Sequence, residues 1–163
     1  MKRGVLRDNS ELNFQSTVRA ISSRIDLSAN SEDLAGRIDH DNASVASAAV
    51  YEPRGVYLFV ALETSREVAV LNAFSRVQLL RFDVGRAPQG LALSADGLKL
   101  YVNNFMDRTV GVYDLAPLLQ GGQYSVPLLT TLSAVGTEKL ASNVLTGKQL
   151  FYDARDPRLA QLM

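Results

Sequence analysis

The sequence predicts an all-β chain: a partial β-propeller of about two and a half four-stranded antiparallel blades, followed by a short C-terminal helix. Three observations predict it. A gapless repeat recurs every 42 residues, apolar residues alternate with a period of two inside each copy, and turn residues fall at matching places in both copies.

The repeat is seen by placing Pro53-Arg54-Gly55-Val56-Tyr57-Leu58-Phe59-Val60 above Ala95-Asp96-Gly97-Leu98-Lys99-Leu100-Tyr101-Val102. Gly55 then falls on Gly97, Phe59 on Tyr101, Val60 on Val102, Arg66 on Arg108, Val68 on Val110, Val70 on Val112 and Asn72 on Asp114. A period of 42 lies in the range of one four-stranded propeller blade. A β-sandwich with a repetitive-looking meander is the competing fold. It does not account for shared Gly, aromatic and Val-x-Val positions in one unbroken register.

Each copy also reads as strands on its own. In the second copy Leu91 and Leu93 alternate with small residues, and the pair Asp96-Gly97 tolerates the positive φ of a tight hairpin. Leu98, Leu100 and Val102 then share one face while Lys99, Tyr101 and Asn103 share the other. The polar stretch Asn104 to Arg108 leads into Thr109 to Tyr113. After the linker Gly121-Gly122, Val126 to Val135 makes the outer strand, with Pro127 where an edge tolerates proline. The first copy repeats the plan with Ala48 to Tyr51, Val56 to Leu62, Glu67 to Leu71 and Val77 to Val84. Upstream, Arg37-Ile38-Asp39 matches Arg81-Phe82-Asp83 after a two-residue adjustment, which makes Thr17 to Leu27 the third strand of an incomplete blade. The expected division is therefore residues 1–136 as blades (about 12–40, 41–84 and 85–136) and 137–163 as a tail. In the tail Thr137 is expected to cap a helix with Glu138 in its first turn, ending before Gly147.

Composition bounds the function. The 163 residues are 47% hydrophobic and 21% charged, enough to build a core. Seventeen basic residues balance seventeen acidic ones, and the densest basic stretch is Lys2, Arg3 and Arg7, so no nucleic-acid partner is expected. No apolar run nears the roughly 20 residues of a membrane span, and no apolar stretch follows the basic N-terminus to make a signal peptide. That leaves a cytoplasmic chain, or one that begins downstream of an export signal. There is no cysteine, and His40 is the one histidine. Thiolate chemistry and covalent haem attachment are excluded, and a Ser-His-Asp triad or a zinc site is disfavoured.

The residues from Val84 to Asn104 resemble the YVTN-type propeller repeat, which reads V-G-x-x-P-x-G, a strand, S-x-D-G and then Y-V-x-N. The match is close over residues 84–114 and looser over 40–72. It implies a blade and says almost nothing of activity. The tail stretch Gly147-Lys148-Gln149-Leu150-Phe151-Tyr152-Asp153 is similar to the entry of a dihaem cytochrome c peroxidase-like domain, where such a segment precedes the first C-x-x-C-H haem motif. That motif is not present here, so no haem ligand and no peroxidase residue carries over. The resemblance implies an exported parent protein, periplasmic or extracytoplasmic, with blades feeding into a haem domain. It also implies that this chain is a fragment or a truncated relative.

Candidate sites are few. His40, between Asp39 and Asp41, reads as a solvated loop histidine, with a metal or anion site as the competing reading. The loop Asn104, Phe105, Met106, Asp107 and Arg108 is the candidate interaction site, since an exposed Phe-Met pair flanked by charges could anchor a partner; packing of Phe105 and Met106 within the blades is the bland reading, and the favoured one. Arg108 matches Arg66 one repeat earlier, which suggests a salt bridge repeated in each blade rather than a channel lining shared with Arg86. Asp83, Asp96, Asp107 and Asp114 show no spacing that pairs them across a site, and no D-x-D-x-D calcium loop is present. No catalytic residue, cofactor or metal is expected. The expected function is a non-catalytic interaction or scaffold module of a cytochrome c peroxidase-like haem protein. The alternatives are a lactonase-like propeller enzyme with a loop-bound metal and a free-standing β protein that self-associates. An open propeller also leaves apolar faces bare, and at about 25 cal/mol per Å² a face of several hundred Å² is worth several kcal/mol. Self-association, or missing blades and a haem domain supplied by a parent protein, is the expected way of covering them.

Overall fold

The computed structural model describes residues 19–43 and 45–160. The basic residues Lys2, Arg3 and Arg7, and the expected strand start at Thr17, lie outside them. The elements run β1 (Ala20–Asp26), β2 (Ser31–His40), β3 (Ala46–Tyr51), β4 (Tyr57–Leu62), β5 (Glu67–Asn72), β6 (Gln78–Asp83), β7 (Pro88–Leu93), β8 (Lys99–Asn104), β9 (Thr109–Asp114), α1 (Ala116–Leu119), β10 (Leu128–Ser133), α2 (Ser142–Phe151) and α3 (Pro157–Ala160). Two four-stranded antiparallel sheets, β3-β4-β5-β6 and β7-β8-β9-β10, form complete blades, and β1-β2 form the outer part of a third. The chain is thus a partial propeller of about two and a half blades.

The repeat holds to the atom in the hairpins. Strands β3, β4 and β5 begin at 46, 57 and 67, and β7, β8 and β9 begin at 88, 99 and 109, each 42 later. Gly55 and Gly97 share a φ of 71°, and each donates its amide 2.9 Å to the carbonyl three residues back, Glu52 and Ser94. Only the side-chain braces differ. Glu52 accepts from the amides of Arg54 (2.9 Å) and Val56 (2.7 Å), whereas Asp96 accepts from Leu98 at 3.0 Å and Ser94 Oγ from Lys99 at 2.9 Å. The fourth strands depart from the register: β6 begins at 78 and β10 at 128, because the β9–β10 connection carries α1. The sequence reads that connection as a Gly-Gly linker; Asp114 instead caps the turn by accepting the Ala116 amide at 2.9 Å.

The core lies between the two complete blades. Phe59, Val68 and Val70 of the first meet Leu100, Val102 and Tyr113 of the second, closed below by Leu115, Leu118 and Val126. Phe59 pairs with Val70 and Ala61 with Val68, so these side chains share the face turned to the second blade. Each large side chain so buried contributes about 1.5–3 kcal/mol. The opposite face of the first blade, with Val60, Leu62, Ala69 and Leu71, receives Ile38 of β2.

Two sequence expectations are corrected. His40 is not a solvated loop residue. The β1–β2 ladder runs on to pair Ala20 with His40, so the ring is buried at the strand's end with Nε2 2.7 Å from Ser22 Oγ. Burial, then the nearby Arg81 cation, pushes its pKa below the ordinary imidazole value. The tail helix begins at Ser142 rather than after Thr137, and runs through Gly147. Glu138 is occupied elsewhere: it accepts from the Leu140 amide (2.8 Å) and from Arg108 Nε (3.0 Å). A Cβ at Gly147 would meet nothing, so glycine there costs only its propensity, about 1 kcal/mol.

Candidate functional site

Antiparallel meanders put alternate connections at one end of each blade. At one end lie the β4–β5 connection (63–66), the β6–β7 connection between blades (84–87) and the β8–β9 connection (105–108). The tail crosses this end and is fastened to it.

The fastening centres on Asp153, which is 0% exposed. Its carboxylate accepts from Arg66 Nε at 2.6 Å and from Arg66 Nη2, from Arg86 Nε at 3.1 Å, and from the Arg155 amide at 3.1 Å. Four donors fill the acceptor capacity of a carboxylate. It is therefore a tie between elements rather than a free base: Arg66 comes from one blade, Arg86 from the connection to the next, and Asp153 from the tail. Burial, followed by the neighbouring Arg86 cation, lowers the Arg66 pKa from its usual value. Beside this contact the Ala154 amide donates to Thr64 O at 3.0 Å, and the Arg155 guanidinium bonds Asp83 and Ser65 O. Asp156 is held by Arg158, whose hydrogen bonds keep its carboxyl well below the usual carboxylate range.

The predicted interaction loop is part of the same contact. Asn104 is buried, accepting from the Gly85 amide at 3.1 Å and donating to Thr109 Oγ1 at 3.3 Å. A Cβ on Gly85 would stand 2.6 Å from Asn104 Cγ, so only glycine allows this approach. Asp107 accepts from the Arg86 amide at 2.7 Å and from Arg86 Nη1 at 3.1 Å, which aims Arg86 at Asp153. Met106 is buried, and its carbonyl accepts from Gln149 Nε2 of α2 at 3.4 Å. The Phe105 ring meets Tyr152 edge-on at 6.4 Å, with the Arg108 guanidinium over the ring, 5.2 Å from its centroid. Phe105, Met106 and Arg108 thus meet the chain's own tail, while Asn104 and Asp107 bond the connection that carries Gly85 and Arg86. Arg108 reaches Glu138, and Arg66 reaches Asp153, so the repeated arginines bridge to the tail and not within their blades as the sequence suggested.

Sequence reasoning missed Asp153 and Gln149, and expected of Arg66 a salt bridge repeated in each blade rather than one to the tail. The one available signal was an arginine at the same repeat position in both blades with no acid at a matching offset. The aspartates considered at the sequence level are engaged separately: Asp83 with Arg155, Asp96 in its hairpin, Asp107 with Arg86 and Asp114 at α1. Among the described residues, no three His, Asp or Glu side chains gather where they could hold a metal ion, and no helix is long and apolar enough to cross a membrane.

No protein-family model and no curated protein matches the chain. Solved structures do. A candidate 6-phosphogluconolactonase from Bacteroides fragilis superposes with a TM-score of 0.54 at 13% identity, over 64% of this chain and 30% of that one. The β-propeller domain of Myceliophteria thermophila Cps50 (Swd1) gives a TM-score of 0.49 at 19% identity, over 60% and 34%. Hydrazine synthase of Kuenenia stuttgartiensis gives 0.43 at 21%, over 56% and 25%. The matched part of the chain thus covers a quarter to a third of each protein. At these identities the likeness is one of fold.

Proposed function

We propose that this chain is a non-catalytic propeller segment, an interaction and scaffold module of an exported cytochrome c peroxidase-like haem protein, whose blades hold the entry to the haem domain. The observation that carries this reading is the burial of Asp153 between Arg66 and Arg86. The residues that resemble the entry of such a domain, Gly147 to Asp153, are the ones fastened across two blades. A segment leading into a second domain needs a fixed departure point, and an ion pair shared by two blades supplies one. Taking one partner from a buried ion pair costs roughly 3–5 kcal/mol, so the tail's position is coupled to the alignment of the blades.

The test is to isolate the polypeptide carrying these blades from its native source and to record its reduced pyridine haemochrome spectrum. Covalently attached c-type haem on that polypeptide supports the reading. A haem-free polypeptide that runs as a single propeller chain overturns it.

A further inference from the structure

The β1–β2 ladder is built in two parts. Its register shifts between Ser22 and Arg24. In the inner part Ala20, Ile21 and Ser22 pair with His40, Asp39 and Ile38; in the outer part Arg24, Ile25 and Asp26 pair with Asp33, Glu32 and Ser31. The outer part carries its own ties: Arg24 to Asp33, Arg37 to Glu32 at 2.6 Å and Ser23 to Glu32 at 2.7 Å. The inner part rests on the first blade, where Ile38 packs against the cluster of Val60, Leu62, Ala69 and Leu71.

His40 closes the inner part. It is 1% exposed, Nε2 stands 2.7 Å from Ser22 Oγ, and among the described residues Nδ1 has no hydrogen-bond partner. A neutral imidazole suits this seat, with its proton on Nε2 donated to the serine and Nδ1 bare. An imidazolium does not, because its Nδ1–H would be a buried donor without an acceptor. Besides burial, the charges that act on the ring are the Arg81 cation of β6 and Asp39 of its own strand. Both are engaged elsewhere. Arg81 bonds Glu67 of β5 at 3.4 Å and the Asp41 carbonyl at 2.8 Å, and Asp39 bonds Arg19 at 3.2 Å.

We infer that His40 is a proton-operated latch for the β1–β2 unit: the neutral ring seats the unit on the first blade, and the ring protonated at Nδ1 leaves its seat and releases the inner part of the ladder. The proton comes from solvent. Ile38 then comes away from the blade, uncovering Val60, Leu62 and Leu71, while the outer part keeps its ion pairs. The unit stays tethered by Arg81 to the Asp41 carbonyl and by Arg76 to the Ala35 carbonyl, contacts that do not titrate in this range. The change is an undocking of two strands, distinct from unfolding of the chain.

Amide hydrogen exchange on the full chain, read as protection factors from pH 7.5 to 5, is the test, with the His40 ring followed by NMR over the same range. Amides of Ile21, Ser22, Ile38 and Asp39 should lose up to tenfold in protection per pH unit below about 6.5, and should stay less protected than those of β8 and β9 throughout. The titrating ring should move to the shifts of a solvated imidazolium. His40→Gln should abolish the slope; if that variant does not fold, the ring titration of the parent chain decides alone. A ring that takes up its proton while Ile38 and Asp39 keep their protection overturns the latch. So does equal protection of β1–β2 and β8–β9 at every pH, or a slope that survives His40→Gln.

Discussion

Arg66 and Arg108, one repeat apart, hold left-handed backbones (φ 54° and 57°), and each reaches a carboxylate of the tail, Asp153 and Glu138 respectively. Left-handed residues at the same hairpin position are a property of the repeat. Carboxylates that meet both of them are a property of the tail. The two parts of the chain are therefore matched at two points.

The points are unequal. Asp153→Ala leaves Arg66 and Arg86 facing one another with Asp107 as their remaining counter-charge, and should release α2 while both blades persist. The expected loss is about 3 kcal/mol in tail docking. Hydrogen exchange would show fast amides over Ser142–Phe151 and unchanged protection in β4, β5, β8 and β9. An α2 still protected at the level of the parent chain would refute the clamp.

Substituting glycine for each arginine separates backbone strain from ion pairing. Glycine removes the left-handed cost, of order 1 kcal/mol, at both positions. Arg108→Gly gives up a partly solvated pair worth about 0–1 kcal/mol, so its net effect on the melting midpoint should be near zero. Arg66→Gly uncovers buried Asp153 and should destabilise by about 2–4 kcal/mol net of the relieved backbone cost. Urea melts of the two variants would read the difference, and equal shifts would count against it.

The blades were legible because their determinants are local. Period-two alternation and the glycines at 55 and 97 fix strands and hairpins within a few residues, and the repeat states each of them twice. The tail contact was not legible. Asp153 lies 87 residues from Arg66 and 67 from Arg86, and nothing local in Phe151-Tyr152-Asp153 distinguishes a buried tie from a solvated acid. His40 failed for a related reason. The run Asp39-His40-Asp41-Asn42 is polar enough to read as a loop, and only pairing to Ala20 carries the strand to its end. The helix start was misplaced because the partner of Glu138 is a side chain on another blade.

His40 gives the chain a pH dependence of definite sign. Its folded pKa is depressed from the ordinary 6.5, chiefly by burial. Below 6.5 the unfolded chain binds a proton that the folded chain refuses. Its contribution is therefore complete above that pH, and is lost as pH falls toward the folded pKa. Urea midpoints should decline as pH falls below about 6.5. His40→Gln should flatten this part of the profile; a decline that survives the substitution would assign it to other groups.

Gly55 and Gly97 share one backbone conformation but not one environment. Alanine at either position carries the left-handed penalty, about 1 kcal/mol. At Gly55 a Cβ would meet nothing within 4 Å, so the cost ends there. At Gly97 it would stand 2.9 Å from Pro53 Cγ and 3.0 Å from Cδ, across the junction of the two blades. The proline ring has few ways to yield, so Gly97→Ala should cost about 1–3 kcal/mol more than Gly55→Ala, the range of an overpacked contact. Truncating the obstacle in a Pro53→Ala, Gly97→Ala double variant should bring the cost back toward that of Gly55→Ala. Denaturant melts of the four chains give the coupling directly. Strict additivity of Pro53→Ala and Gly97→Ala would mean that the hairpins of neighbouring blades do not press on one another here.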